Sequence, residues 1–570
     1  MSETSTVRRV LRAIWNGITR IRMALSNLLF LVMLGLIYFV YVGGAPQPLP
    51  EKAALLLNMA GTVVEEKSPV DPLSAVLVQP TPADHEVLLR DVIESIELAA
   101  EDPAINELVM ELDQLVYVGI SRTQEIVRAL EIFRASGKPI IASGDYFTQD
   151  QYLLASYADE IIIHPLGGVA LEGFGAYQNY FSEALDKLSV NIHVFRVGEN
   201  KGAVEPFLRN DMSPQEKRVT QRWLDDLWRQ YTTQVESRRN LEPGTVDNYI
   251  NNYADRLRAV NGDTSLAAQQ AGFVDQLMTR SSSNDYLANI VGARNDDDLY
   301  EAIEFERYVS RKRPLSLSGP DGDRVAVITA TGQILPGEQP PGSIGGDSLA
   351  RLIRSTADEE GVKAIVLRVN SGGGSLFASE VIRQQLRYAQ GKAIPLVVSM
   401  GGLAASGGYY IAAEADEIWA TSSTITGSIG VFAAFPTFED LLGRLGIYTD
   451  GVGTTDLAGA LRVDRPLSPE LVDALTSTIE YAYDSFIDIV ATARGIPLHE
   501  MDALAQGRVW SATDALDLGL IDKVGGLGEA IDSAAALAGV SDYEVDYVGL
   551  PLSPRDMLLK QLANRVGSVA

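Results

Sequence analysis

The residues whose types could support hydrolytic chemistry lie far apart in the chain: a serine in SMGGLAASGGYY, a lysine in ENKGAVEPF, and a glycine cluster in RVNSGGGS. Ser406 stands where an apolar strand pattern, Ile394 to Val398, breaks into the small-residue stretch Met400 to Gly408 before an Ala-rich helical run to Ala415. Ala405, Gly407 and Gly408 leave its hydroxyl uncovered, and the first N–H groups of the helix face anything bonded to it. That setting suits a nucleophile; an ordinary helix N-cap is the competing reading. Cysteine is absent, which excludes thiol catalysis and thiolate metal sites. The four histidines, His85, His164, His193 and His499, form no short-spaced metal pair. A base for Ser406 must therefore be a histidine from a distance or a different group.

Lys363 and Lys392 stand ahead of buried strands and Lys523 lies in a late turn, so the second half of the chain offers no lysine near Ser406. The first half offers Lys201, in RVGENKGAVEPFLR after the strand pattern Val190 to Phe195. Flanked by Gly202, Ala203 and Val204, this amine could be desolvated, and desolvation would lower its pKa enough for base catalysis near neutral pH. A loop lysine is otherwise a solvated surface charge, so the assignment depends on Lys201 meeting Ser406. Asn370 to Ser375, NSGGGS, follows a strand and precedes a helix but has neither the GxGxxG spacing nor the GK[ST] ending of a phosphate loop. Its three glycines instead suit a backbone that passes close to a bound chain and supplies an oxyanion donor, with the Gly407 N–H as partner. A plain turn is the alternative.

The elements that must position these groups occur twice. Ile105 to Asp113 reads as strand, Ser121 to Ala135 as helix, Pro139 to Ser143 as strand and Gln149 to Tyr157 as helix, ending in ADEI at Ala158. Val362 to Asn370, Phe377 to Ala389, Ile394 to Ser399 and a further helix repeat that order, ending in ADEI at Ala415. This is a duplicated α/β unit whose strand–helix alternation implies parallel strands joined by right-handed crossovers. The copies differ at the candidate chemistry: Gln149 stands against Ser406, ELDQLVYV against RVNSGGGS, and Asp456 against Lys201. Upstream, Lys52 to Val64 and Ala75 to Gln79 read as short strands, with a helix from Asp84 to Ala99. The stretch Ser213 to Asn240, with Trp223, Leu224, Leu227 and Trp228, reads as an amphipathic helix, and Trp510 as packing in a closing segment.

At 570 residues the chain is too long for one core, and its formal net charge of −28 argues against binding nucleic acid. Arg8, Arg9, Arg12, Arg20 and Arg22 precede an apolar run at residues 24–42. Nineteen helical residues span roughly 29 Å, about one bilayer core. Tyr38 and Tyr41 near its far end and the Gly-Gly-Ala-Pro linker beyond it fit a transmembrane helix; a cleaved signal peptide is the competing reading, for which the run is long and Val42 to Ala45 a poor cleavage site. The arginines place the amino terminus in the cytoplasm and the body outside.

With these motifs in view, the chain resembles the signal peptide peptidase A family in its long, duplicated form: ENKGAVEPF, DMSP, RVNSGGGS, SMGGLAASGGYY, TGSIGV and GRVWSATDALDLGLIDKVGG all carry the likeness. The resemblance implies tandem ClpP/crotonase-like α/β domains behind an amino-terminal transmembrane helix. The expected boundaries are a basic tail at 1–23, the membrane helix at 24–42, a linker at 43–55, one domain at 56–310 supplying the base, a seam at 311–325, a second domain at 326–550 supplying the nucleophile, and a tail at 551–570. It implies a serine endopeptidase with Ser406 as nucleophile, Lys201 as general base, Ser428 orienting the lysine, and Gly373 and Gly407 as oxyanion donors. Gly372 stands where the family usually has proline, which loosens the loop but removes no donor. The family further implies no cofactor and no metal, a homotetramer in the cytoplasmic (inner) membrane with a periplasmic body, and signal-peptide remnants and other apolar peptides as substrates. A crotonase-like acyl-thioester enzyme and a catalytically silent membrane-anchored scaffold are the alternative readings.

Overall fold

The computed structural model describes residues 15–28, 30–31, 34–35, 49–69, 81, 84–313 and 322–550. The expected strand at Ala75 to Gln79, part of the seam and the tail at 551–570 lie outside them. The amino-terminal segment forms a unit of its own, helical over residues 15–28. Among the described residues no helix is long and apolar enough to cross a membrane. Much of the expected span, including 36–42, lies outside the described residues.

The body, Glu51–Leu550, contains two large sheets built to one plan. In the first, the strands run in the order Ala302–Glu304, Ala53–Leu57, Ile105–Met110, Ile140–Phe147, Glu160–Val169 and Gln276–Leu277. The second repeats the order with Glu544–Val548, Arg324–Thr331, Val362–Ser371, Leu396–Ala405, Glu417–Ala420 and Lys523–Val524. Every pairing along both series is parallel. The duplication read from the ADEI repeats is therefore a duplication of topology.

Parallel strands buried on both faces need apolar side chains in both directions, and the sequence supplies them. Ala326 and Ile328 face one core with the helices Gly346–Asp358 and Leu376–Gly391, whereas Val325 and Val327 face the helix Leu527–Ala538. In the first copy, Ala54, Val109, Ile141 and Ile162 pack under the helix Arg280–Val291.

Three local readings change. The helix expected from Asp84 begins only at Leu89, because Glu86–Leu88 is spent as a strand beside Gly61–Val64. The strand expected to end near Ser399 continues through the small residues to Ala405, because Leu403, Ala404 and Ala405 pair with Ile425–Gly427. The helix beyond Ser406 is short, Gly407–Ala412. The amphipathic helix is present as Pro214–Arg238, capped by Ser213, with Trp228 stacked on Tyr231.

Two devices join the copies near the candidate residues. Asn191–Val197 of the first pairs antiparallel with Val431–Thr437 of the second. Arg368, 1 % exposed in the second sheet, reaches Glu65 at 2.9 Å, Glu125 of the first-copy helix Ile120–Ala135, and Ser399 Oγ at 2.9 Å.

Candidate active site

Ser406 occupies the corner between the strand Leu396–Ala405 and the helix Gly407–Ala412, with φ 54° and ψ −119°. A side chain in that left-handed region costs on the order of 1–3 kcal/mol, and such corners lift a hydroxyl clear of the strand and the helix it joins. Its own N–H donates to the Gly427 carbonyl at 2.8 Å, fixing the corner to the neighbouring strand. The small residues around it are required by contact: a Cβ at Gly408 would stand 2.6 Å from the Ser371 carbonyl oxygen, and one at Gly407 2.8 Å from Ser379 Oγ.

The first copy builds the same corner differently. There the helix Gln149–Ala155 starts one residue earlier, after Thr148; Tyr152 and Tyr409, 257 residues apart, make equivalent buried bonds to the Phe273 and Leu520 carbonyls, so Gln149 stands against Ser406. Thr148 is an ordinary cap whose hydroxyl accepts from the Gln151 N–H, and Gln149 Oε1 is tied to the N–H groups of Glu172 and Gly173. At the position of Ser406 the first copy thus carries an amide bound to its own loop in place of a hydroxyl.

Lys201 arrives from the first copy, four residues beyond the inter-copy ribbon, and is only 5 % exposed. Its Nζ lies 3.1 Å from Ser406 Oγ, 3.0 Å from Ser428 Oγ and 2.8 Å from the Ser428 carbonyl oxygen. Burial lowers its pKa from 10.5 to about 8. A neutral amine has two N–H groups and one lone pair. The Ser428 carbonyl must take one N–H and Ser428 Oγ can take the other, which leaves the lone pair for the Ser406 hydroxyl proton. Ser428 holds both its acceptors toward Lys201 from a left-handed φ of 51°, with its own N–H bonded to the Arg508 carbonyl at 2.6 Å. The Ser428 carbonyl was not legible in the sequence; only the TGSIG motif marked that residue.

Gly373 and Gly407 lie side by side next to Ser406. A Cβ at Gly373, whose φ is +95°, would stand 2.5 Å from Gly407 N and 2.9 Å from Ser406 Cβ, so only glycine fits. Among the described residues no acceptor lies on the Gly407 N–H. The Gly373 N–H donates to Ser371 Oγ at 3.1 Å, and Ser371 Oγ donates in turn to the Gly332 carbonyl at 2.6 Å. Ser371 is thus a partner of this loop, and its place two residues before a glycine is the sequence signal of such a turn. Gly372 is exposed. Of the histidines, His193 bonds Thr437 in the ribbon, and among the described residues no His, Asp or Glu group is arranged to hold a metal.

Comparisons with known proteins place the chain among peptidases. The profile of peptidase family S49 matches residues 132–291 and 389–541, once in each copy. Protease 4 of Haemophilus influenzae is 38% identical over 553 residues, covering 95% of this chain and 89% of that protein. Protease 4 of Salmonella typhi is 38% identical over 559 residues, covering 97% and 90%. The chloroplastic serine protease SPPA of Arabidopsis thaliana is 29% identical over 459 residues, covering 79% and 66%. With two matched segments in duplicated sheets and relatives aligned over nearly the whole chain, the chain belongs to peptidase family S49, in its duplicated form.

Proposed function

We propose that the chain is a membrane-anchored serine endopeptidase using a Ser406–Lys201 dyad. The observation that carries this reading is the buried Lys201 amine set 3.1 Å from Ser406 Oγ, with two further acceptors from Ser428 orienting it. The neutral amine takes the Ser406 proton as Oγ attacks the scissile carbonyl carbon. The resulting oxyanion is stabilised by the Gly407 N–H and by the Gly373 N–H once it turns from Ser371 Oγ. The lysine ammonium then protonates the leaving amine, the C–N bond breaks, and an acyl-Ser406 ester remains. Water adds to that ester, giving its proton to Lys201, and the product leaves with a new carboxylate while Ser406 regains its proton.

Apolar peptides, signal-peptide remnants among them, are the substrate class in this proposal. Leu403, exposed beside Gly372, and Phe377, exposed in the first turn of the helix that follows this loop, favour apolar side chains entering there. A relative from Enterococcus faecium, 32% identical over 193 residues, bears the name putative signal peptide peptidase SppA. The apolar run at 24–42 behind five arginines supports a single membrane anchor, with the body on the periplasmic side of the inner membrane. The ClpP/crotonase type is our assignment for each sheet.

A head-to-tail homotetramer completes the proposal. The ribbon pairs a first-copy strand with a second-copy strand, while by the duplication the counterpart segments 174–180 and 446–452 have no such partner among the described residues. Tyr177 at 98 % and Tyr448 at 83 % exposed lie in them, and pairing them between protomers would repeat the ribbon around a ring.

The deciding experiment is cleavage of apolar leader-like peptides by the detergent-solubilised chain, wild type beside Ser406→Ala, with a serine-reactive phosphonate as probe. Cleavage and labelling that both vanish in Ser406→Ala support the peptidase; cleavage that persists defeats it.

A further inference from the structure

The lysine loop does not hold itself in place. Between Val197, where the ribbon ends, and Lys201, the chain turns through Gly198, Glu199 and Asn200, and all three lean on one second-copy residue, Gln506. The Asn200 N–H donates to the Gln506 carbonyl at 2.8 Å and the Glu199 N–H to Gln506 Oε1 at 3.3 Å. Gly198 lies so close that a Cβ there would stand 2.7 Å from the Gln506 carbonyl carbon. Gln506 is itself fixed from behind: its Nε2 donates to Asp502 Oδ1 at 2.7 Å and to the Tyr483 hydroxyl at 3.1 Å, and that hydroxyl donates to Asp502 Oδ1 at 2.6 Å. It adopts a left-handed φ of 50°, uncommon for a residue other than glycine, asparagine or aspartate.

The next two residues reach the other side of the dyad. A Cβ at Gly507 would stand 2.8 Å from Lys201 N, so the two backbones touch there, and the Gly507 N–H donates to the Ile429 carbonyl at 2.7 Å. The Arg508 carbonyl accepts from the Ser428 N–H at 2.6 Å. One short segment thus holds the loop that carries the amine and the turn that carries the amine's two acceptors.

We propose that Gln506 is a positioning residue for the dyad, a clamp from the second copy that sets where the Lys201 amine stands and keeps water from it; this rests on the peptidase reading above. The alternative is a purely structural role, holding the helix Leu498–Leu504 to the body with no bearing on the amine. The charged groups around the loop are Glu199 on the turn itself, Glu205 and Glu216 beneath Gly202, Asp502 behind Gln506, and Arg508. A substitution that leaves all of them in place tests the clamp rather than the local field.

Gln506→Gly keeps the left-handed backbone and its carbonyl but removes the amide; Tyr483→Phe removes only the hydroxyl behind it. Both go into the full chain, and each is measured in two ways. Steady-state peptide cleavage should show kcat about 10-fold lower with KM within about twofold, since a small misplacement of the base costs turnover rather than binding. Acetylation of Lys201 by acetic anhydride against pH, read by mass spectrometry in the Ser406→Ala background, should move its midpoint from about 8 toward 10.5 as water reaches the amine. Gln506→Asn, which keeps an amide and tolerates the left-handed backbone, should recover part of both losses. Unchanged kcat and an unchanged acetylation midpoint in both variants would overturn the clamp. Because the acetylation midpoint does not depend on turnover, it still reads the clamp if peptide cleavage proves independent of Ser406.

Discussion

Lys201 and Ser406 are separated by 205 residues of chain, and their reactive atoms by 3.1 Å, one atom from each copy of the duplicated fold. Neither copy alone holds both groups: the first has Gln149 against Ser406, and the second has Asp456 at the offset of the lysine. Ser406→Ala should abolish cleavage, and Lys201→Ala should lower kcat at least about 10²-fold while the chain stays folded, because the oxyanion donors remain. Circular dichroism beside the cleavage assay separates the two effects, and near-wild-type kcat in Lys201→Ala at pH 7 would remove the lysine from the mechanism.

The buried amine makes opposite demands on activity and stability. Its folded pKa of about 8 lies below the ordinary 10.5, so kcat/KM should rise with pH and level off above about 8 as the free base forms. Burying the ammonium costs stability fully below pH 8, where both folded and unfolded chains are protonated there. The cost fades between 8 and 10.5 and is gone above. Lys201→Met should therefore melt higher than wild type at pH 7, by a free energy of at most about 3 kcal/mol, and lose that advantage by about pH 10.5. Paired thermal melts across this range check the sign.

The Gly373 N–H, an oxyanion donor in the proposed mechanism, donates to Ser371 Oγ at 3.1 Å. Ser371→Ala frees the donor, and kcat for a short peptide ester should be equal to or a few-fold above wild type. Gly373→Ala drives a Cβ to 2.5 Å from Gly407 N at a positive φ, and activity should fall at least about 10²-fold. A Ser371→Ala enzyme as impaired as Gly373→Ala would show that the hydroxyl supports the loop rather than restrains it.

Arg368 lies between Glu65 and Glu125 with almost no solvent access. Arg368→Met leaves two buried carboxylates facing each other, at a cost on the order of 3–5 kcal/mol. Urea unfolding at pH 7 should show an earlier transition, and because the triad joins the copies, the separation of Lys201 from Ser406 should make cleavage fail before secondary structure is lost.

The chain has no cysteine, which makes inter-protomer crosslinking clean. A mixture of Tyr177→Cys and Tyr448→Cys chains should form a disulfide dimer band between unlike chains under mild oxidation, and neither variant alone should do so to the same extent. Equal crosslinking within each single variant would reject the head-to-tail arrangement.

The sequence by itself determined the repeated α/β plan, the loss of glycines and of the exposed serine corner in one copy, and the four short motifs around the chemistry. Those are local properties: side-chain periodicity, turn residues, and the small volume needed at a close approach. Even so, local reading ended the nucleophile strand six residues early, since Met400 to Ala405 have low strand propensity and become a strand only by pairing with Ile425–Gly427. Tertiary structure alone decided the arrangement of the amine. The 3.1 Å approach, the Ser428 carbonyl as acceptor, the hold of Ser371 on Gly373 and the Gln506 support all join residues that are remote in sequence or use backbone atoms, which no side-chain pattern encodes. Desolvation, the cause of the lowered lysine pKa, is likewise a property of the assembled copies and of neither segment alone.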